Sequence, residues 1–319
     1  MSRGRATALL LGAVALLLAA ACSSTTPAAD PPEKTSITVT GLPIVDVAPL
    51  YLAQQEGLFA AQGLEVTIKP LTSSNQSLPG LADGSVDIVA GGNYVTFLEA
   101  QARGQADIRV IAEAALASPG LDQVVAGPRS GITSPEALAG RTVAVNTPAP
   151  NIQTLTLDRV LASRGVDPAS VRYETMPFTQ AVTALKDGTL DAAWLVEPFV
   201  TEAETTSGAL PVIDPTSGPT GAFPLDGYFT TARFAEQYPA TIRAFQRALA
   251  QAADLAADDQ RTTRALPSFT PIDPATASII TLPDYPTTLQ PQRLQRVADL
   301  MTQAGMLPGR LDVTPLTVR

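Results

Sequence analysis

The chain has 319 residues, of which 45% are hydrophobic and 16% are charged, so it can bury a full core and fill two domains of ordinary size. Its formal net charge of −9 argues against nucleic-acid binding, which needs a basic surface. The lack of histidine and the single cysteine exclude an internal disulfide, a cysteine metal site and histidine-based catalysis. We expect no enzymatic activity, no metal and no cofactor; an enzyme that uses carboxylates alone is the alternative.

The N-terminus has the layout of a secretory signal. Two arginines precede the apolar run 6–21, which is shorter than the roughly 20 residues that a membrane-spanning helix needs. Small residues lead directly to Cys22, as in a bacterial lipoprotein signal, so residues 1–21 are predicted to be cleaved and Cys22 to carry the lipid, including palmitate. An ordinary signal with an incidental cysteine is the alternative. The polar, Pro-rich residues 22–35 predict a flexible tether.

The rest of the chain alternates strand and helix patterns, which predicts an α/β fold with parallel strands and right-handed crossovers. We expect a discontinuous lobe 1 at 36–124 and 222–319, and a lobe 2 at 125–221. The predicted strands are 36–40, 64–68, 88–90, 109–114, 142–145, 171–174 and 192–195, and the predicted helices are 49–62, 78–83, 96–103, 152–163, 179–186, 233–238, 240–257 and 291–304.

One segment of the sequence recurs in the second half of the chain. Residues 81–88 (LADGSVDI) reappear as 185–192 (LKDGTLDA). Each copy places a glycine, Gly84 or Gly188, where a helix end favours a left-handed residue, and then enters a short apolar strand. Ligands of open α/β sheets bind beyond the carboxyl ends of the strands, so two such lobes predict a cleft that is closed from both sides.

Four segments carry a resemblance to a known family. Residues 49–66 (PLYLAQQEGLFAAQGLEV) resemble the opening signature of extracellular solute-binding proteins of ABC importers. The branch is the one that handles nitrate, alkanesulfonates, taurine and thiamine pyrimidine precursors. Three later segments, 81–87, 134–145 and 185–198, resemble its further signatures in the same order, and the resemblance extends over about 37–304.

This resemblance implies a type 2 periplasmic-binding-protein fold, with two hinged Rossmann-like lobes and a ligand cleft between them. It also implies a small-molecule ligand, an ABC permease and ATPase as partners, and an extracytoplasmic location at the outer face of the cell membrane. We expect a monomer whose contact with the membrane is the lipid anchor only. Relatives that synthesise the thiamine pyrimidine use an active-site histidine and clustered cysteines, which this chain lacks.

Polar and aromatic residues in the loops after the predicted strands are the candidate ligand-binding residues. Each has a structural alternative: turn formation for the Ser and Asn residues, helix capping for those before a helix, and core burial for the aromatic ones. The candidates are Asp46, Ser74, Asn75, Asn93, Tyr94, Asn146, Thr147, Asn151, Phe178, Trp194, Glu197 and Asp226.

The charges of these loops indicate a class of ligand. None of the seven loops expected to line the cleft contains Lys or Arg, whereas three contain an acid, Asp46, Glu197 or Asp226; the loops are 43–47, 72–76, 91–95, 146–153, 176–179, 194–198 and 226–228. An unpaired carboxylate beside a bound anion is unfavourable, so we expect a neutral or cationic ligand, and the nearby aromatic residues favour a planar nitrogen heterocycle such as a thiamine pyrimidine precursor. Two alternatives remain: a small anion (sulfonate, taurine or nitrate) held by helix N-termini, and a lipoprotein that senses its ligand without transport.

Overall fold

A computed structural model describes residues 30–318, and the predictions for 1–21 and for Cys22 lie outside them. Ten strands are described in these residues: β1 Ser36–Gly41, β2 Glu65–Pro70, β3 Ile88–Asn93, β4 Ile108–Leu116, β5 Asp122–Ala126, β6 Thr142–Val145, β7 Arg172–Thr175, β8 Ala192–Val196, β9 Leu210–Ile213 and β10 Pro224–Thr231. The α-helices of the same residues are α1 Ala48–Gln55, α2 Leu58–Ala61, α3 Leu78–Asp83, α4 Tyr94–Ala102, α5 Ile152–Ser163, α6 Phe178–Asp187, α7 Phe199–Ser207, α8 Ala232–Gln237, α9 Pro239–Ala256, α10 Asp259–Ala265, α11 Pro274–Ala277 and α12 Pro291–Gln303.

The strands form two five-stranded sheets with equivalent orders, β2-β1-β3-β10-β4 and β7-β6-β8-β5-β9. Four strands of each sheet run in the same direction, whereas β10 and β5 run antiparallel to both of their neighbours. The predicted α/β fold with two lobes is confirmed. The sheets are mixed rather than parallel throughout, because β5 and β10 enter their sheets directly from the other lobe and not through a helical crossover.

The sequence repeat marks equivalent places in the two sheets. The first copy ends α3 at Gly84 and continues into β3, and the second ends α6 at Gly188 and continues into β8. Both glycines have left-handed backbone, with φ of +80° and +72°, which a residue with a side chain rarely adopts. The strands that follow are fully buried, so the repeat places two matching strand ends at the centre of the molecule.

The chain passes between the two sheets twice, through 117–121 and through 214–223. The two passages lie side by side, because Ala117 N donates to the carbonyl of Phe223 at 2.9 Å. The predicted lobe limit at 124/125 falls inside β5, which pairs with β8 and β9 over its whole length. The limit at 221/222 falls two residues before β10. Two adjacent connections of this kind form a double hinge, which lets the lobes move as bodies.

The C-terminal helices cover lobe 1. The long helix α9 packs on α1 and α2, and its Phe245 stacks on Phe59 at 5.1 Å between ring centroids. The end of the predicted tether is attached to this part of the fold: Glu33 accepts hydrogen bonds from the first backbone N–H groups of α9, and Lys34 pairs with Asp87 at 2.6 Å. In residues 30–318, no helix is both long and apolar enough to span a membrane.

Candidate functional site

A cleft of about 450 Å³ lies between the two lobes, where the carboxyl ends of β1, β3, β6 and β8 approach each other. Both lobes contribute to its wall. Lobe 1 provides Leu42, Ile44, Asp46, Ser74, Gly91, Asn93, Leu225 and Asp226, and lobe 2 provides Asp122, Asn146, Thr147, Ile152, Gln153, Phe178, Trp194 and Val196.

Eight of the candidate residues from the sequence lie on this wall. They are Asp46, Ser74, Asn93, Asn146, Thr147, Phe178, Trp194 and Asp226. The structure does not bring the other four candidates, Asn75, Tyr94, Asn151 and Glu197, to the wall. Each of these four has a role within the protein instead.

Asn151 and Asn75 satisfy local hydrogen bonds. Asn151 is the N-cap of α5: its side chain accepts from Thr154 N at 3.0 Å and donates to the carbonyl of Thr147 at 2.6 Å. It therefore positions Thr147, which does reach the cleft. Asn75 accepts a hydrogen bond from the hydroxyl of Ser73, the residue before a short 3-10 helix.

Tyr94 and Glu197 are buried behind the wall. The ring of Tyr94 meets Phe229 edge-on, and its hydroxyl occupies the space that the missing side chain of Gly227 leaves open. The carboxylate of Glu197 accepts hydrogen bonds from the hydroxyl and the backbone N–H of Thr201, at 2.7 and 3.1 Å. It also accepts one from Thr281 N at 3.3 Å, which joins lobe 2 to the C-terminal part of lobe 1.

Side-chain amides build the polar rim of the cleft. Asn93 caps α4 by accepting from Thr96 N and donates to the hydroxyl of Ser74 at 3.3 Å. From lobe 2, Asn146 donates to the carbonyl of Thr72 in lobe 1 at 2.9 Å. This bond crosses the cleft and closes one side of it.

Gln153 joins the ends of two strands in lobe 2. Its carbonyl oxygen accepts from Asn146 N at 2.6 Å, and its amide donates to the carbonyl of Trp194 at 3.1 Å. It stands in the first turn of α5, so this helix, β6 and β8 are fixed relative to one another at the cleft. The backbone around Trp194 is therefore held by a side chain that the sequence analysis did not select.

Two aromatic side chains form the flat part of the wall. The Trp194 side chain is only 4% exposed and its indole faces the cleft from β8. Phe178 opens α6 and stacks on Phe199 at 5.1 Å, which fixes the orientation of its ring. Both come from lobe 2, so a planar ligand has its stacking partners on that side.

Three aspartates line the cleft. Asp46 follows β1 in a short 3-10 helix, Asp226 lies on β10 and Asp122 lies on β5. All three are buried, and Asp122 has no exposed surface. Within the described residues, one carboxylate oxygen of Asp46, one of Asp226 and both of Asp122 have no hydrogen-bond partner. Buried polar atoms are normally paired, so unpaired oxygens that line a cleft indicate groups that a ligand completes.

Asp122 and Asp226 occupy equivalent places in the two lobes. Asp226 lies opposite Asn93, the last residue of β3, and Asp122 lies opposite Val196, the last residue of β8. The same dipeptide, Leu-Asp, carries both, as Leu121-Asp122 and Leu225-Asp226. Each lobe therefore directs one carboxylate into the cleft from its antiparallel strand.

No basic side chain of the described residues lies on the cleft wall. Burial raises the pKa of Asp46 to about 7 and raises the pKa of Asp122 and of Asp226 well above the ordinary range. Repulsion adds to burial: Asp46 raises the pKa of the other two, and Asp122 raises that of Asp226. The indole N–H of Trp194 also lacks a partner. The cleft thus offers several free acceptors and one free donor.

Asp122 is the wall residue that matters most among those the sequence analysis missed. It lies between the predicted strands 109–114 and 142–145, close to the predicted lobe limit at 124/125, where no predicted strand end marks it as a candidate. The recurring Leu-Asp dipeptide is the signal that identifies it. The others are apolar side chains, a glycine and Gln153, which carry no such signal: Leu42, Ile44, Gly91, Ile152, Gln153, Val196 and Leu225.

Solved structures with the same architecture confirm the type 2 periplasmic-binding-protein fold. The alkanesulfonate-binding protein SsuA from Xanthomonas axonopodis pv. citri, bound to MOPS, is 22% identical with a TM-score of 0.76, over 90% of this chain and 99% of that chain. The periplasmic nitrate-binding protein NrtA from Synechocystis PCC 6803 is 15% identical with a TM-score of 0.74, over 90% and 86%. At these identities the likeness shows the fold alone.

An enzyme is also among the structural neighbours. The desulfurization enzyme DSZB is 16% identical with a TM-score of 0.65, over 89% of this chain and 96% of that chain. Other neighbours are described as binding proteins, among them the periplasmic aliphatic sulphonate binding protein SsuA from Escherichia coli, which is 19% identical with a TM-score of 0.69, over 88% of this chain and 97% of that chain. No curated protein sequence matches the chain.

The family model described as NMT1/THI5 like matches residues 44–263, more than half of the chain. The matched region begins in the loop after β1 and ends in α10, so it includes both crossings between the lobes and most of the cleft wall. The family suspected from the four sequence segments is confirmed. The chain belongs to the NMT1/THI5-like family, whose fold and structural neighbours are those of substrate-binding proteins of ABC importers.

Proposed function

We propose that this protein captures a planar, nitrogen-containing small molecule, such as a thiamine pyrimidine precursor, in the cleft between its lobes. It then delivers the molecule to the permease and ATPase of an ABC importer. The observation that carries the proposal is the set of unpaired carboxylate oxygens on Asp46, Asp122 and Asp226. Nitrogen-bound hydrogens are the natural partners of such oxygens, and the described wall of the cleft has no basic side chain that would balance an anionic ligand.

The shape of the wall supports a planar ligand. Trp194 and Phe178 offer aromatic faces from lobe 2, and the indole N–H of Trp194 is free to donate to a ring nitrogen or carbonyl oxygen. A nitrogen heterocycle with an exocyclic amine supplies both donors and acceptors around one flat ring. It therefore matches the mixture of free acceptors and one free donor in the cleft.

We propose further that the protein works at the outer face of the cell membrane as a monomer, anchored by a lipid on Cys22. The support is the position of this single cysteine after a run of small residues. Mass spectrometry of the mature N-terminus tests the anchor. A mature chain that starts elsewhere, or an unmodified Cys22, would contradict it.

Two alternatives have specific support. Solved neighbours of this fold include proteins that are described as sulfonate- and nitrate-binding, so a small anion held by helix N-termini is the second candidate ligand. A ligand sensor that does not transport is the second candidate role. Stimulation of the ATPase of the co-expressed importer by the loaded protein distinguishes transport from sensing.

A thermal-shift screen tests the ligand class. The purified protein is heated with 4-aminopyrimidine, with 4-amino-5-hydroxymethyl-2-methylpyrimidine, and with nitrate, taurine and alkanesulfonates as the contrasting set. We expect the aminopyrimidines to raise the melting temperature and the anions to leave it unchanged. A shift with nitrate or sulfonates and none with the aminopyrimidines would overturn the proposed ligand class.

A further inference from the structure

The charge of the cleft is divided between the lobes. Asp46 and Asp226 belong to lobe 1 and Asp122 belongs to lobe 2, and each of the three lines the same space. Within the described part of the chain, the wall of this space holds no lysine or arginine to balance them. Buried acids without a counter-ion keep their protons in the empty protein, and a positively charged ligand in the same space would favour their ionised forms.

We propose that the ligand is a small organic cation with N–H donors on at least two sides, held between Asp226 of lobe 1 and Asp122 of lobe 2. This inference rests on the proposed function and narrows it, because the proposed function also admits neutral ligands. The positive charge of the ligand is what brings the two lobes together. Burial and mutual repulsion raise the pKa of Asp122 and of Asp226 in the empty cleft, so these side chains keep their protons there, and a bound cation favours the ionised carboxylates of both lobes.

The hydrogen-bond inventory selects the kind of cation. Four carboxylate oxygens in the cleft lack partners, so the ligand must donate several hydrogen bonds as well as carry charge. A quaternary ammonium has no hydrogen to donate and would leave these oxygens unpaired. A metal ion needs converging ligands, and no group of three or more Asp, Glu, His or Cys residues between positions 30 and 318 has that arrangement. An amidinium or a protonated amino-heterocycle meets both needs.

A second feature of the wall points to the same class of ligand. The indole of Trp194 is nearly fully buried and its unpaired N–H lies on the cleft wall with the aspartates. A cation over an aromatic face gains from the negative potential of the ring, and a guanidinium-like or amidinium group is flat enough to stack there. One flat cation can therefore stack on the aromatic ring and pair with the aspartates at the same time.

Four benzene derivatives with different charge and hydrogen-bonding capacity separate the two contributions. Benzamidine is a planar cation with N–H donors, benzamide is its neutral isostere, phenyltrimethylammonium is a cation without N–H donors, and benzenesulfonate is an anion. Binding to the purified protein is followed by the fluorescence of Trp194, the only tryptophan of the chain, and by calorimetry. We expect benzamidine to bind at least about tenfold more tightly than each of the others.

The outcomes separate this inference from the proposed function. Equal or tighter binding of benzamide overturns the requirement for positive charge but leaves a planar nitrogen-containing ligand in place. Equal binding of phenyltrimethylammonium overturns the requirement for N–H donors. Three further outcomes overturn the inference: binding of Ca²⁺ or Mg²⁺ in place of benzamidine, no binding of any probe up to its solubility limit, and binding of benzenesulfonate alone. Binding of benzenesulfonate alone also contradicts the proposed function.

Variants of matched chemistry locate the effect in the cleft. Asp122→Asn keeps the size of the side chain and removes its charge, and it should weaken benzamidine by about tenfold or more while changing benzamide little. Asp254→Asn makes the same change on the exposed face of α9 and should have no effect. A loss of benzamidine binding in Asp254→Asn, or none in Asp122→Asn, would overturn the assignment. Circular dichroism of each variant checks that it is folded.

Discussion

Lobe 1 and lobe 2 have the same strand order and carry an aspartate at the same place on the antiparallel strand, but the remainder of their cleft walls differs. Lobe 1 adds a second acid, Asp46, and the small polar side chain of Ser74. Lobe 2 adds the aromatic surfaces of Trp194 and Phe178. The equivalent aspartates, Asp122 and Asp226, determine the charge that the ligand meets from both lobes. Trp194 and Phe178 have no counterpart in lobe 1, so the ligand has an aromatic stacking surface on the lobe 2 side only.

Removal of the shared pair is the strongest way to break this comparison. Asp122→Asn and Asp226→Asn should each cost about 2–5 kcal/mol of benzamidine binding, because each removes one side of a buried charge pair. If the lobes act equivalently, the two variants lose similar amounts and the double variant binds no measurable benzamidine by calorimetry. A large loss in one variant and none in the other would show that a single lobe holds the charge.

The effect of pH follows from the raised pKa values of the acids. The empty cleft holds protons on its carboxyls below about pH 7, the pKa of Asp46, and a bound cation expels them. The affinity for benzamidine, which keeps its charge, should therefore rise as pH increases towards 7, by about tenfold per unit for each proton released. None of the groups that interact electrostatically with the three aspartates is basic. These groups are Asp214, Glu197, Tyr94, Tyr228 and Tyr285.

Calorimetry in buffers of different ionisation enthalpy measures this proton release directly. Benzamide is the control, since it carries no charge that would expel a proton, and its affinity should not rise over the same interval. A benzamidine affinity that is independent of pH between 5 and 8 would contradict the account.

The stability of the empty protein should change in the opposite direction. The pKa of Asp122 is raised in the folded state above its unfolded value of about 3.9, so the folded protein keeps a proton that the unfolded chain has lost. The free energy of unfolding therefore falls as pH rises above about 4. Asp122→Asn removes this dependence and should stabilise the empty protein by about 1–3 kcal/mol at pH 8, while it weakens cation binding.

Thermal melts of the empty protein at pH 4 and pH 8 check this prediction. The gain of Asp122→Asn should amount to roughly 2–4 °C per kcal/mol at pH 8 and be nearly absent at pH 4, where the wild-type side chain is also neutral. Asp254→Asn, on the surface, should follow the wild type at both pH values. A variant that is less stable at pH 8 than the wild type would show that Asp122 is stabilised by partners in the empty cleft.

The smallest expected effect belongs to the aromatic side of the comparison. Trp194→Phe keeps an aromatic face and removes the free N–H, so binding of 4-aminopyrimidine, which has ring acceptors, should weaken by about 0.5–1.5 kcal/mol. Benzamidine has no acceptor for the indole and should be nearly unaffected. Equal losses for the two molecules, measured by calorimetry, would assign Trp194 to packing alone.

Local patterns predicted most of the fold. The helix ends at Gly84 and Gly188 and the buried strands after them follow from short segments of sequence, and the lobes follow from their repetition. The antiparallel strands β5 and β10 could not be predicted in the same way, because their partner strands are far away in the sequence and no α-helix directly precedes them. This is why Asp122 was missed.

The candidate site was predictable where a residue lies at or shortly after a strand end, as Asn93, Asn146 and Asp46 do. It was less predictable where two roles use the same residue type. The sequence offers both helix capping and ligand contact for Asn151, and it does not show the three hydrogen bonds that Glu197 receives inside the protein. A buried side chain reveals its role only through the partners that the fold brings to it.

A crystal structure of the protein with benzamidine tests most directly the claim that both lobes hold a cation through matching aspartates. The account predicts amidinium nitrogens within hydrogen-bond distance of the carboxylates of Asp226 and Asp122, with the ring against Trp194 or Phe178 and the lobes closed. An amidinium bound to the carboxylate of one lobe only, or a benzamidine outside the cleft, would contradict it.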